Sequence, residues 1–114
     1  MNSGSSKKND LWVSEDGINW QEEEKQELFL RQGHVLLVFK DRLWAISGFG
    51  ESQGLRDVWF SEDGKVWTKT EKETPWPGRE DFSAFVFKDK IWMIAGMADE
   101  NNDWVWKNDV WYSK

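Results

Sequence analysis

The sequence predicts an all-β protein built from a repeated four-stranded antiparallel unit, and three observations predict it. Residues 10–20 (DLWVSEDGINW) recur as residues 57–67 (DVWFSEDGKVW), and residues 39–44 (FKDRLW) recur as residues 87–92 (FKDKIW), with offsets of 47 and 48. Apolar runs rich in β-branched and aromatic residues alternate with short polar turns in each unit. Asp-Gly pairs between such runs are a strong hairpin signal. We call residues at matching places of two units counterparts.

Each unit contains two strands, a and b, joined by a polar turn. Strand a is predicted at residues 34–39 (HVLLVF) and 82–87 (FSAFVF), and strand b at residues 43–47 (LWAIS) and 91–95 (IWMIA). Strand b ends at Gly48 or Gly96, where we expect a positive φ or a close backbone approach. Variable segments follow, residues 49–56 in the first unit and 97–108 in the second, and both are predicted to be loops.

Strands c and d form the Asp-Gly hairpin of each unit. Strand c is predicted at residues 57–61 and strand d at about 66–70, and residues 10–20 are an earlier copy of this hairpin. A third copy of strand c lies at residues 108–113 (NDVWYS). Residues 9–114 therefore follow the order c, d, a, b, c, d, a, b, c, and residues 1–8 are predicted to be a disordered lead or an expression-vector remnant.

One segment has the composition of a helix but occupies the place of a strand. Residues 21–31 (QEEEKQELFLR) are rich in helix formers, yet their counterparts at residues 68–79 contain Pro75 and Pro77. We therefore predict strand d followed by an acidic connection here.

Composition excludes several classes of function. The chain has no Cys and a single His, which excludes a disulfide scaffold, a Cys-based zinc site and a site needing two imidazoles from one chain. A net charge of −6 argues against nucleic-acid and anionic-membrane partners. No apolar run approaches the ~18 residues that span a bilayer, and nothing in the sequence indicates a compartment.

A four-stranded unit repeated every ~40–50 residues is typical of a β-propeller blade. The residue pattern resembles the kelch repeat, whose features occur here as Arg31, His34, Gly48, Trp67 and residues 57–60. The second unit carries them as Arg79, Gly96 and residues 108–112, again as a resemblance. The chain departs from the kelch pattern at three positions, which are Ser47 and Ala95 in place of the first paired Gly, and Phe82 in place of the second His. The Asp-Gly hairpins also look like the structural Asp-box of sialidase-type propellers.

Two blades are too few for a closed propeller, which usually has about four to eight. We expect copies of the chain to complete the ring, three giving six blades and four giving eight. The alternative is an engineered unit or a piece cut from a longer propeller, without an evolved activity. Because the chain has three c strands and only two of each other strand, one of residues 10–14 and 109–113 is surplus at a junction, and the sequence does not tell which.

The candidate ligand-binding residues lie in the variable segments and at the start of strand a. Trp76, Trp104 and Trp106 have no tryptophan at the matching place of the other unit, and antiparallel parity puts the b–c and d–a connections on one face. We predict that these tryptophans lie toward that loop face, where they bind a ligand, cap the blade or pack at the junction between copies. Arg31 and Arg79 recur at matched places; the resemblance implies that each contacts a ligand or pairs within its blade.

No catalytic residue, metal site or cofactor is predicted. His34 leads an apolar strand and is expected to be a partly buried structural residue. Residues 99–103 (DENND) offer oxygen ligands but lack the Gly and distant Glu of an EF-hand, so a solvated acidic loop is expected.

The sequence therefore predicts a non-enzymatic binding or scaffold module that presents its loop face to a glycan or a protein. An alternative is a sugar-acting, mutarotase-like enzyme, because kelch-like propellers include such enzymes. A ring can bring one Arg of each blade toward its axis, which keeps this alternative open.

Overall fold

The computed structural model describes residues 7–114, and the fold over that range is all-β. Every strand pairing is antiparallel, and no α-helix occurs among the described residues. The strands form an N-terminal hairpin and two four-stranded sheets. The predicted lead at residues 1–8 falls mostly outside the described residues.

The N-terminal hairpin consists of β1 (Leu11–Val13) and β2 (Gln21–Glu23). Its turn follows from side-chain chemistry, since Ser14 Oγ accepts a hydrogen bond from the Gly17 N–H at 2.7 Å. Asp16 Oδ1 accepts two more, from the N–H groups of Ile18 and Asn19, at 2.8 Å each. These bonds satisfy the backbone where the chain reverses. Gly17 has φ +79°, as the Asp-Gly signal predicts.

The central sheet is the four-stranded unit that the repeat predicts. It contains β3 (Val35–Phe39), β4 (Arg42–Ile46), β5 (Val58–Ser61) and β6 (Thr68–Lys69), in that spatial order. They correspond to strands a, b, c and d. The turn between β5 and β6 repeats the bonds of the N-terminal hairpin, with Asp63 Oδ1 accepting from the Lys65 and Val66 N–H groups.

The C-terminal sheet contains β7 (Arg79–Glu80), β8 (Ser83–Phe87), β9 (Lys90–Glu100) and β10 (Asp103–Tyr112). Strand β9 pairs with all three others. Strands β8, β9 and β10 correspond to strands a, b and c, and β7 lies in the connection before strand a. Within the described residues, the outer edge of β10 has no strand partner, whereas the outer edge of β5 in the central sheet pairs with β6.

The second variable segment is a β-hairpin, and the prediction of a loop at residues 97–108 is wrong. Strands β9 and β10 continue past the sheet and reverse at Asn101-Asn102, whose φ values are +58° and +68°. Two central residues with positive φ make a type I′ turn, which matches the twist of the strands. The segment at residues 49–56 remains a loop with isolated bridges at Phe49.

Residues 21–31 form β2 and then one turn of 3-10 helix, Glu27–Phe29. The prediction of strand d followed by a connection is therefore confirmed in its strand, while the short helical turn was not predicted. Leu28 and Phe29 are buried, which explains why this connection is ordered although its neighbours are acidic.

Two apolar clusters form the core. The first contains Leu28, Phe29 and Ala45, with Trp59 and Trp67 packed against them. The second lies between the two sheets and is centred on Ile46, Phe82 and Met93. Residues of the central sheet that pack against this second cluster are Val35, Leu37 and Val58; those of the C-terminal sheet and the connection before it are Trp76, Ala84, Ile91 and Trp111.

Candidate functional site

Arg31 is buried and its guanidinium is held by four acceptors. Nη1 and Nη2 donate to the two carboxylate oxygens of Asp57 at 2.8 and 2.9 Å. Nη1 also donates to the Ser47 carbonyl at 3.0 Å, and Nε donates to the Leu28 carbonyl. This bidentate pair joins the start of strand a to the start of strand c.

Arg79 repeats the arrangement in the C-terminal sheet. Its side chain is fully buried, and Nη1 and Nη2 donate to the Asp109 carboxylate at 2.8 and 3.1 Å. Nη1 also donates to the Ala95 carbonyl at 2.8 Å. Nε is buried without a hydrogen-bond partner among the described residues. Of the two roles weighed for Arg31 and Arg79, the structure shows the intrasheet pair.

Electrostatics hold both aspartates in the charged form. Burial acts to raise the pKa of the Asp57 carboxyl, but hydrogen bonds from Arg31 and Trp59 and the Arg31 charge outweigh it, so its pKa is lowered. For Asp109 the hydrogen bond from Arg79 is the largest influence and again lowers the pKa. An indole N–H completes each cluster, from Trp59 and Trp111, at 2.8 Å.

The N-terminal hairpin carries the same cluster without an arginine. Trp12 Nε1 donates to Asp10 Oδ2 at 2.8 Å, as in the two sheets. No ion pair to Asp10 occurs among the described residues, and Trp12 is 49% exposed. The hairpin is therefore a c–d pair. Within the described residues, it lacks the arginine and the strands a and b that precede the c–d pair of the central sheet.

Trp76 lies between the two sheets, so of the roles weighed for it the structure shows packing against the apolar cluster. Its ring packs 5.5 Å from that of Trp111, and Nε1 is buried without a partner among the described residues. Counting back from Arg79, Trp76 is the counterpart of the core residue Leu28. This match explains why a residue without an aromatic counterpart still belongs to the core.

Trp104 and Trp106 both lie on β10 beyond the body of the C-terminal sheet. Residues two apart on a strand share a face, as predicted. The Trp104 ring packs 5.4 Å from that of Phe49, while Trp106 is 72% exposed. The structure brings these two tryptophans together and separates them from Trp76, Arg31 and Arg79. A ligand role for the five residues stays a prediction.

A polar groove lies beside this long hairpin. It has a volume of about 580 Å³ and is lined by residues of three connections, among them Gln53, Arg56, Pro75 and Asp99. Gly54 and Gly78 form its floor at close backbone contact: a Cβ on Gly78 would lie 2.3 Å from the Gly54 carbonyl carbon. Asp99 Oδ2 accepts a hydrogen bond from the Gly54 N–H at 2.9 Å, which ties the loop to the hairpin.

His34 is half-buried near the start of strand a. Its ring centroid is 5.8 Å from that of Phe29, and Nδ1 has no partner among the described residues. Burial, and then the nearby Arg31 charge, lower the pKa of the imidazole below its ordinary value of 6.5.

An exposed apolar face covers the outer side of the C-terminal sheet, and the sequence analysis did not single it out. We call Phe85, Ile94, Val110 and Tyr112 the outer face; Phe85 is 41% and Val110 56% exposed. The counterparts of the first three are Leu37, Ile46 and Val58, all in the cluster between the two sheets. Alignment of the two units could have identified the outer face, because the buried residues of the first unit recur there as apolar residues of the second unit.

An apolar cavity of about 710 Å³ opens between the two sheets next to β10. Trp76, Met93 and Trp111 line one side, and Trp44 and Val58 line the other. Apolar atoms dominate this wall, unlike that of the groove beside the long hairpin, where backbone and charged groups converge.

Neither a metal cluster nor a membrane helix is found in the described range. Within residues 7–114, no three His, Cys, Asp or Glu side chains converge as metal ligands do. Over the same range, no helix has the length and hydropathy of a membrane span.

Comparison with known proteins gives a structural likeness alone. No family model and no curated protein matches the chain. Among solved structures, that of YjhT is similar over 70% of this chain, with a TM-score of 0.63 and 19% sequence identity. The matched part is 25% of the YjhT chain. At this identity the likeness shows a shared all-β arrangement, so the chain is an antiparallel all-β protein similar in fold to a quarter of a longer one.

Proposed function

We propose that the chain is a self-assembling binding module: copies join into a closed β-propeller of the kelch type, and the ring presents its loop face to a glycan. Three or four copies give a ring of six or eight blades. Each sheet is one blade in this proposal, and the N-terminal hairpin belongs to the blade before the central sheet.

The outer face is the observation that carries the assembly proposal. Phe85, Ile94 and Val110 are the counterparts of Leu37, Ile46 and Val58. Those three residues of the central sheet pack in the cluster shared with the C-terminal sheet. The opposite side of the central sheet is also apolar, with Leu36 and Val38 exposed at 50% and 66%. A second copy can therefore cover the outer face as the C-terminal sheet covers the central one, which is a head-to-tail contact. Neighbouring exposed apolar side chains of this kind are typical of an interaction surface.

The matched region of YjhT gives independent support. The same arrangement of strands there forms a quarter of a longer chain. Such an arrangement is therefore compatible with being one part of a larger assembly, which copies of this chain would supply.

Light scattering on a size-exclusion column tests assembly. We expect a discrete species at three or four times 13.5 kDa. Phe85→Asp puts a charge on the outer face and should yield a monomer with an unchanged circular dichroism spectrum, because Phe85 is already part-exposed. Val66→Asp is the matched control, since Val66 is 71% exposed at the turn between β5 and β6 and should assemble normally.

A monomeric wild-type chain at every concentration tested would contradict assembly. So would equal assembly of the Phe85→Asp and wild-type chains.

The glycan part of the proposal rests on the polar groove and the neighbouring long hairpin. The groove volume of about 580 Å³ is within the range of small-ligand sites. Arg56, Asp99 and Gln53 offer donors and acceptors to hydroxyl groups, and exposed Trp106 offers an apolar ring face.

Calorimetric titration with an oligosaccharide panel tests the glycan part of the proposal. It should give saturable heat, and Trp106→Ala should weaken the binding. No heat from any oligosaccharide would contradict this part while leaving assembly intact.

A further inference from the structure

The two apolar clusters have matching members around the two sheets, but the cluster at the C-terminal sheet contains no counterpart of Trp67 among the described residues. Around the central sheet, Trp67 lies at the start of strand d and packs edge-on against Phe29, with ring centroids 5.1 Å apart and an interplanar angle of 89°. The other members of that cluster are Leu28, Ala45 and Trp59. Trp67 thus closes the cluster from the strand d side.

The C-terminal sheet has the partners of this tryptophan and the 710 Å³ cavity beside them. The counterparts of Leu28, Ala45 and Trp59 are Trp76, Met93 and Trp111, and all three line the cavity. No strand d follows β10 among the described residues. Two further observations mark this place as a receiving site: the outer edge of β10 is unpaired, and Trp76 Nε1 is buried there without a partner.

The remaining counterpart of Trp67 is Trp20, just before β2 in the N-terminal hairpin. It is 59% exposed, whereas Trp67 is packed in the first cluster. The next strand, β2, is the counterpart of β6, the strand d that pairs with β5. Each chain therefore carries the exposed Trp20 with the following strand β2. It also carries, at the C-terminal sheet, the cavity and the unpaired edge of β10 that such a tryptophan and strand would fill.

Strand β2 already pairs with β1, so β1 and β10 compete for the same edge of β2. Strand β1 is held by three residue pairs with β2, and no Arg pairs with its Asp10 within the described residues. Strand β10 pairs with β9 at eight positions, its Asp109 is held by Arg79, and its Trp111 packs in the core. Strand β10 is therefore the better anchored of the two competitors.

We propose that β2 of a second copy leaves β1, pairs with the outer edge of β10, and inserts Trp20 into the cavity beside Trp76 and Trp111. The inference deepens the assembly proposal and depends on it. It assigns the surplus c strand: residues 109–113 stay in the blade, and residues 10–14 are displaced at each junction. The register of Phe60 with Thr68 in the central sheet predicts that Tyr112 faces Gln21 of the second copy.

Alanine variants of the two hairpin tryptophans test the insertion. Trp20→Ala should raise the apparent dissociation constant of the assembly at least about 30-fold, as loss of a buried aromatic anchor does. Trp12→Ala is the matched control, because Trp12 lies on the displaced strand and is similarly exposed. It should assemble as the wild type does.

The outcomes separate the two proposals. If the wild type assembles and Trp20→Ala assembles equally well, the insertion is refuted while assembly stands. If Trp12→Ala dissociates as Trp20→Ala does, the hairpin docks whole and β10 is the displaced strand, which also overturns the inference. A monomeric wild type overturns assembly itself.

A disulfide lock tests strand displacement while leaving both hairpin tryptophans in place. Val13 and Gln21 face each other between β1 and β2, and the chain has no Cys of its own. The double variant Val13→Cys with Gln21→Cys, once oxidised, should hold β1 on β2 and remain monomeric, and reductant should restore the assembly. If the oxidised form, with its disulfide verified by mass spectrometry, assembles like the reduced form, β1 is not displaced.

Discussion

Single residues explain why the two units keep the same backbone path. Arg31 and Arg79 each join strand a to strand c through a bidentate pair with Asp57 or Asp109. Breaking a buried pair by removing one partner typically costs about 3–5 kcal/mol, because the other charge loses its partner. The same geometry explains why these positions recur in both units.

His34 makes stability depend on pH in a window separate from that of the carboxylates. Its pKa is lowered in the folded chain, so the unfolded chain binds the proton first as pH falls. The stability it contributes is fully present above about pH 6.5 and is lost as pH falls toward the folded pKa. We expect the free energy of unfolding in urea, at fixed protein concentration, to fall between about pH 7 and pH 5.

His34→Gln should remove this decline, because His34 is the single His of the chain. An identical pH profile for His34→Gln and wild type would contradict the prediction. The lowered pKa values of Asp57 and Asp109 act at lower pH, where protonation of either aspartate destabilises the fold.

Among the elements, β9 shows how one kink divides a strand into a part within the sheet and a part in the long hairpin. Ala95 and Gly96 have φ of +61° and +89°, and the strand changes direction there before it continues into the long hairpin. The counterparts Ser47 and Gly48 have the same conformation, at +54° and +104°. A non-glycine residue in the left-handed region costs roughly 1–2 kcal/mol, so Ser47 and Ala95 are strained positions.

Ala95→Gly should therefore stabilise the chain by about 0.5–1 kcal/mol, once the greater freedom of Gly in the unfolded chain is subtracted. The control is Ala98→Gly on the same strand, where φ is not positive and the side chain is buried. That variant should destabilise by a similar or larger amount. Urea unfolding of both variants gives the comparison, and a loss of stability in Ala95→Gly would contradict the argument.

At the scale of the whole molecule, the apolar side chains are divided between a covered interface and an uncovered one. One cluster is shared by the two sheets, while the outer face and both tryptophans of the N-terminal hairpin are exposed. A chain of this length buries a smaller fraction of its unfolded-chain surface than a larger domain does. Stability should then depend on contacts between copies.

Thermal unfolding should report this dependence directly. If assembly stabilises the fold, Tm rises with protein concentration by mass action. Phe85→Asp should show a lower Tm that does not change with concentration. A wild-type Tm independent of concentration would contradict the coupling of folding to assembly.

The long hairpin marks the limit of prediction from sequence. The segment at residues 97–108 was predicted to be a loop because it differs from its counterpart and is rich in polar residues at its tip. The structure extends two strands through it, since Asn101-Asn102 forms a turn and pairing continues from the sheet below. The choice among the roles of Trp76 stayed open for a related reason: its burial follows from packing across two sheets, which no single segment specifies.

The sequence alone determined the repeat, the all-β class, the strand order and the Asp-Gly turns. These depend on local alternation of side chains and on turn chemistry, both of which act between near neighbours. The tertiary structure decided which arginine pairs with which aspartate, which tryptophans are covered, and where the apolar side chains remain exposed. These are contacts between residues far apart in the chain, and they exist only once strands from different units lie side by side.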